Sequence, residues 1–218
     1  MGEKKNAVGG ISRKTLERLP VYQHYLAERN REGLPHISSP AMAADLHLNE
    51  VQVRKDLALV SKTAGKPKTG YVVKELLSDL EEFLGYHNVN QAVLVGAGAL
   101  GRALLSYQEF EQYGVEIVAA FDCDEWLTGS KIAGKMVLPA EKAENLCRRM
   151  NIHIGIITVP RDSAQEVCDR LVAGGVKAIW NFAAVQLNVP PDVFVQNENM
   201  AVSLAALSKY LYGLEEKH

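Results

Sequence analysis

Cysteine is scarce in this 218-residue sequence: Cys123, Cys147 and Cys168 make an odd number with no CxxC spacing. That excludes a disulfide framework and a zinc ribbon. Long hydrophobic runs are missing too, and no stretch approaches the roughly 20 uncharged apolar residues of a membrane helix. Met1-Gly2-Glu3-Lys4-Lys5 leads into no apolar signal segment, which predicts a cytoplasmic protein. There is no internal repeat and no low-complexity segment. What is present is 47% hydrophobic residues, enough for a core and too much for a disordered chain. The length fits one large or two small domains.

The formal charge of −2 hides an asymmetry. Residues 1–75 carry 13 Lys and Arg against 8 Asp and Glu, whereas the remainder carries 11 against 18. A basic front half suggests a polyanionic partner, although ordinary scatter gives such a balance as well. The residue pattern has to decide.

Over 12–31, Leu16, Leu19, Tyr22, Tyr25 and Leu26 fall at helical spacing, with Pro20 expected to kink or restart the helix. Ser38-Ser39-Pro40 opens a second, short helix over 41–46, with Ser39 read as its N-cap and Pro40 at the first helical position. A third runs over 49–61. There Val53, Leu57 and Val60 share one face, opposite Val51, Lys55, Ala58 and Lys62, with Gln52 and Arg54 flanking. Gly65-Lys66-Pro67-Lys68-Thr69-Gly70 then reads as a basic hairpin tip before the strand-like Tyr71-Val72-Val73. Two short helices, the second with a basic and amide face, followed by a basic hairpin describe a winged helix-turn-helix. Arg54, Lys55, Lys66 and Lys68 are nucleic-acid candidates: the first pair for base edges, the second for phosphates or a narrow minor groove. A connecting helix over 74–84 ends at Gly85, placing the boundary of a first domain, 1–85.

From Gln91 the pattern becomes strand–helix alternation, the mark of a parallel sheet with right-handed crossovers. Strands are predicted over 92–95, 116–121, 153–158, 178–180 and 193–195, with helices over 100–113, 140–150 and 163–173. Gly96-Ala97-Gly98-Ala99-Leu100-Gly101 follows the first strand and opens a helix. This is the dinucleotide-binding Rossmann fingerprint, and Asp122 closes the next strand where a ribose-binding acid belongs. Gly96 permits the tight turn, Gly98 the approach of a pyrophosphate, and Gly101 close helix packing; the phosphates face free amides. Asp122 favours NAD over NADP. Thr158-Val159-Pro160 and Asn181-Phe182-Ala183 end later strands at the ligand edge and are candidates for the nicotinamide pocket, or merely a strand stop and core. The six histidines, at 24, 36, 47, 87, 153 and 218, offer no general acid there, and too little chain follows for a substrate domain. Cys123, beside Asp122, is a candidate redox thiol or simply a packed one.

Taken in order, many stretches resemble the bacterial redox-sensing repressor family Rex, over nearly the whole chain. They are Leu19-Pro20-Val21-Tyr22, Ser38-Ser39, Val53-Arg54-Lys55-Asp56-Leu57, Gly70-Tyr71, 94–104, Ala119-Ala120-Phe121-Asp122, Ile157-Thr158-Val159-Pro160, Ala164-Gln165 and Ile179-Trp180-Asn181-Phe182-Ala183. The resemblance implies a homodimeric, non-enzymatic repressor on palindromic double-stranded operator DNA, with NADH releasing it and NAD+ permitting binding. It adds Ser39, Gln52 and Tyr71 to the DNA-binding set and Tyr107 to the nicotinamide pocket. It also implies a terminal helix over 200–212, striped by Leu204, Leu207 and Leu211, swapped between subunits. The domains are then 1–85, 86–198 and a dimerisation helix, 199–218. The wing over 60–68 lacks the family's Phe-Gly repeat, Ala99 replaces a frequent Asn, and Asn199-Met200 stands where an acid is usual. Two readings from other classes remain: an NAD-dependent oxidoreductase with a basic accessory domain, and a nucleotide- or CoA-binding interaction module.

Overall fold

A computed structural model describes residues 11–66 and 69–199, and beyond them 201, 202, 204, 205, 207, 208 and 210. The chain divides between Asn88 and Val89 into two compact units.

In the first unit, α1 (Arg13–Arg31) opens on Ser12, whose hydroxyl accepts from the Thr15 amide at 3.1 Å. The helix runs through Pro20 and no new helix starts there, so of the kink or restart expected, the restart does not occur. An interior proline costs about 3 kcal/mol, and the face that carries it more than offsets this: Leu19, Tyr22 and Leu26 are fully buried and Tyr25 nearly so. A two-residue strand, β1 (His36–Ile37), follows, and then α2 (Ser39–Asp45). The N-cap of α2 is Ser38, not Ser39: Ser38 Oγ accepts from the Ala41 amide at 3.3 Å. Ser39 is the first helical residue and Pro40 the second, both positions where an amide needs no intrahelical partner.

Asn49 caps α3 (Glu50–Val60), accepting from the Gln52 amide at 3.2 Å. As the wheel requires, Val53, Leu57 and Val60 are buried while Val51, Lys55 and Ala58 face solvent. Beyond it Lys66 and Gly70 exchange two backbone hydrogen bonds of 2.8 Å, closing the hairpin tip. Gly70 has φ +74°, and a Cβ there would lie 2.2 Å from the Ile37 carbonyl oxygen, so only glycine lets the two segments meet. Next come β2 (Tyr71–Val72), antiparallel to β1, and α4 (Val73–Leu84), ended by Gly85 in the left-handed conformation. This is a winged helix-turn-helix.

The second unit is a seven-stranded sheet between helices. Its strands are β3 (Asn90–Val95), β4 (Val115–Asp122), β5 (Lys131–Ile132), β6 (Lys135–Pro139), β7 (Ile154–Ile157), β8 (Ala178–Asn181) and β9 (Phe194–Asn197). The order is β5-β6-β4-β3-β7-β8-β9, parallel throughout except for the β5–β6 hairpin. From β6 to β9 this is the doubly wound dinucleotide-binding order, with its switch point between β3 and β7. Successive β3 residues feed opposite faces. Val93 and Val95 join Phe121, Ile157, Cys147 and Cys168, while Ala92 and Leu94 join Ala120, Ile156 and Leu105. The helices are α5 (Ala99–Leu105), α6 (Ala143–Met150) and α7 (Ala164–Ala173). The single helix expected over 100–113 is two elements, since α5 stops at Ser106 and a tighter 3-10 turn occupies Gln108–Tyr113. Helical backbone recurs at the described positions of 201–210, whereas Met200 and Leu211 lie outside the described residues.

Candidate functional site

Three glycines build the loop after β3, and the fold needs only two of them. Gly96 has φ +103°, and a Cβ on it would sit 2.8 Å from the Thr158 carbonyl. A Cβ on Gly101 would lie 1.9 Å from the Gly96 oxygen, so α5 packs against the loop through that bare Cα. Gly98 is different. Its φ of −69° suits any residue, and a Cβ there would meet nothing within 4 Å. It is also the N-cap of α5, whose first amides have no intrahelical acceptor.

Neighbouring groups hold this loop rigidly. The Ala97 amide donates to Asp122 Oδ2 at 2.6 Å, and the Asp124 amide donates to Oδ1 at 2.9 Å. Arg102 Nε donates to the Ala97 carbonyl at 3.1 Å. Thr158 Oγ1 lies 2.7 Å from the Gly96 oxygen and 3.1 Å from that of Val95, joining the loops after β3 and β7. Above them opens a cavity of about 710 Å³, within the range of cofactor sites.

Of the residues singled out in the sequence, Gly96, Gly98, Asp122, Thr158, Val159 and Pro160 line this cavity. Cys123, singled out as a thiol rather than as a lining residue, joins them, and the other wall was not foreseen: Glu141, Ser163, Glu166, Val167 and Arg170. For the last four the signal was available, because α7 starts just past the ligand edge of β7 and 163, 166, 167 and 170 share one helical face. Ala97 and Gly101 are buried beneath the loop, while Ala99 and Leu100 start α5.

Tyr107, Asn181, Phe182 and Ala183 do not line the cavity. Tyr107 is half exposed, donates to Glu109 at 2.6 Å, and begins an aromatic run through Phe110 and Trp180 to Phe182, with centroid separations of 4.9, 5.8 and 4.5 Å. The hydrogen bond to Glu109 raises the Tyr107 phenol above its ordinary pKa. Asn181 is fully buried, and its side chain ties the loop after β8: it accepts from the Ala183 amide at 3.0 Å and donates to Val185 O at 2.9 Å and Asn197 Oδ1 at 2.8 Å. Cys123 is exposed, while burial pushes the Cys147 and Cys168 thiols up to about 11, out of reach of thiolate chemistry at neutral pH.

In the first unit Arg54, Lys55 and Lys66 are exposed, and Arg54 makes only a loose 3.9 Å pair with Glu50. Lys68 lies outside the described residues. Ser39 is buried, and Tyr71 is half buried with its ring over Gly65. The residue that pattern reading passed over is Asp56, the only carboxylate buried among the described residues. Arg18 Nε and Nη2 reach it at 2.7 and 3.1 Å, Tyr22 Oη at 2.9 Å and Gln52 Nε2 at 2.9 Å. Burial pushes this carboxyl up, but donation from Arg18, Gln52 and Tyr22, with the Arg18 charge, outweighs it and holds the group below its ordinary pKa. A charge between apolar residues on the inner face of α3 is invisible to a hydrophobic wheel.

Comparison with known proteins agrees with both halves. The CoA binding domain family matches residues 87–185, and the family described as putative DNA-binding protein N-terminus matches residues 10–58. The redox-sensing transcriptional repressor Rex of Treponema denticola is 39% identical over 193 residues, 88% of this chain and 91% of that protein. That of Carboxydothermus hydrogenoformans is 43% identical over 198 residues, 91% and 95% of the two chains. The crystal structure of RSP, a Rex-family repressor, in complex with β-NAD+ and operator DNA matches with a TM-score of 0.89 at 35% identity, covering 96% of this chain and 95% of that one. The RSP complex with β-NADH gives 0.84 at 36% identity, covering 94% and 96%. Relatives this similar across about nine-tenths of their length leave one assignment: the chain belongs to the Rex family of redox-sensing transcriptional repressors.

Proposed function

We propose that this chain is an NADH-responsive repressor, cytoplasmic and homodimeric, that binds palindromic operator DNA through its winged helix and leaves it when NADH binds. The observation that carries the cofactor half is Gly98. The fold explains glycine at 96 and 101, but among the described residues nothing approaches position 98. A Cα kept bare there, at the start of a helix with free amides, is a cradle that a Cβ would fill, and it suits a pyrophosphate. Asp122 then holds the adenosine ribose, its two oxygens already fixed by the Ala97 and Asp124 amides. Thr158, Val159 and Pro160 form the facing wall, and Tyr107 and Phe182 flank the nicotinamide. When bound, the dinucleotide supplies its oxidation state as a signal, and the chain catalyses no turnover of it. In keeping with this, His153 precedes β7 at the opposite edge of the sheet, its Nδ1 3.0 Å from the Gly175 carbonyl oxygen.

The DNA half rests on Arg54 and Lys55, exposed on the second helix of the helix-turn-helix, and on Lys66 of the hairpin. A second copy covers the terminal helix, where Val202, Leu204, Leu207 and Tyr210 are all more than 60% exposed. The deciding experiment is a mobility shift on genomic fragments with NADH, NAD+ or NADPH added. A retarded fragment released by NADH alone is the expected outcome; binding indifferent to all three defeats the proposal.

A further inference from the structure

Gln52 is the third residue of α3, in the first turn, where a recognition helix meets base edges. Its own amide N–H is taken by the Asn49 cap, and its side chain is given forward, one turn along, to Asp56 Oδ1 at 2.9 Å. Asp56 cannot turn to suit it. The carboxylate is buried and pinned by Arg18 through Nε and Nη2 and by the Tyr22 hydroxyl, so that four donors fill its acceptor sites. A carboxylate only accepts. The Gln52 amide is therefore obliged to face it with Nε2, leaving Oε1 turned away. An unrestrained glutamine on a helix surface has both amide orientations open to it; this one has lost that freedom.

We propose that Gln52 is a specificity-determining residue of the DNA interface and that Asp56 is its positioning residue. The buried carboxylate presents Oε1 and the second N–H of Gln52 as an adjacent acceptor and donor, the complement of adenine N6–H and N7 in the major groove. The inference rests on the reading that α3 enters DNA. It adds the base, and the device that fixes it: a charge network inside the domain sets the orientation of a side chain at its surface.

The test is base preference, measured with the full chain on duplexes randomised around the operator that the wild-type protein selects. The wild type should favour adenine at one pair of symmetry-related positions by about 5- to 150-fold. Gln52→Leu, at a half-exposed site that tolerates it, should flatten the preference there and nowhere else. Asp56→Asn places an NH2 where one acceptor oxygen stood and frees Gln52 to turn over. It should blur the same positions while leaving the salt dependence of binding, which counts phosphate contacts, unchanged. Should Asp56→Asn fail to fold, Gln52→Glu serves instead, because an acceptor-only side chain should exchange adenine for cytosine. Wild-type preferences retained by Gln52→Leu, or adenine retained by Gln52→Glu or by a folded Asp56→Asn, would overturn the proposal. Failure of the wild type to select any sequence would instead defeat the reading of α3 as a DNA-binding helix.

Discussion

Alanine at position 98 and alanine at position 101 each exchange one Cα hydrogen of the same loop for a methyl group, yet the structure gives them opposite consequences. At Gly101 the new Cβ arrives 1.9 Å from a backbone oxygen, so α5 and the loop must part by about an ångström even to reach 3.0 Å. Overpacking against backbone costs about 1–3 kcal/mol and sometimes more, and the second unit should melt earlier with or without ligand. At Gly98 no atom is displaced. Alanine is a poorer N-cap than glycine by a few tenths to about 1 kcal/mol, but it restricts the unfolded chain by about 0.4–1 kcal/mol, and the two nearly cancel. A pyrophosphate seated on the loop would meet that methyl group directly. Gly98→Ala should therefore melt within a few degrees of wild type while binding NADH at least tenfold more weakly, about 1.4 kcal/mol. Calorimetric melting and fluorescence titration with NADH measure the two quantities on the same sample. Unchanged NADH affinity in Gly98→Ala would refute the reasoning, because the bare Cα would then have no ligand to accommodate.

Other expectations follow from the same geometry. NADH should bind more tightly than NADPH in calorimetric titration, since a carboxylate repels a 2′-phosphate, and Asp122→Ala should narrow the difference. Arg54→Ala or Lys55→Ala should weaken operator binding by about 1–3 kcal/mol if the side chain reads a base, whereas Lys66→Ala should lower the slope of log affinity against log salt. Burial, and then hydrogen bonding to Asp56 and Asp45, pushes the Tyr22 and Tyr25 phenols up to about 12. Their neutral forms are favoured by folding, so this stabilisation is intact below the ordinary phenol value near 10 and drains as pH rises toward 12. Denaturation of wild type should steepen across that window, and Tyr22→Phe with Tyr25→Phe should flatten it. Truncation after Asn199 should dissociate the dimer in sedimentation and abolish NADH-controlled release of DNA; a stable dimer still released by NADH would remove the terminal helix from the mechanism.

How much of this could be read from residues alone depended on how local its cause was. The glycine loop, Asp122 and the inward face of α3 were legible because fixed spacings carry them. The β5–β6 hairpin was not, since it is built from two short segments around Ala133 and Gly134, both with positive φ, and neither is long enough to show a period. The Ser38 cap was missed by one residue because a proline fits the second helical position as well as the first. At Pro20 local propensity opposes the helix, and burial of Leu19, Tyr22 and Leu26 carries it through without a restart. Asn181 shows the limit of position as evidence. It stands at the ligand edge of its strand, but its buried side chain bonds to its own loop at Ala183 and Val185 and to Asn197 of β9.

The Thr158 hydroxyl that spans the loops after β3 and β7 has a consequence for what such a sensor can measure. The two walls are clamped together within the chain itself, and on the proposed reading they form the seat of the phosphates and the adenosine. Reduced and oxidised dinucleotide carry the same diphosphate and the same adenosine, so this seat favours both equally, and a ligand with no preference between two conformations shifts neither. A change at Thr158 or in the glycine loop would slide the dose–response curves of both forms along the concentration axis together. On that reading, gain and set point fall to different residues: the clamped loops set how much total dinucleotide is needed, and the residues flanking the nicotinamide tell one oxidation state from the other.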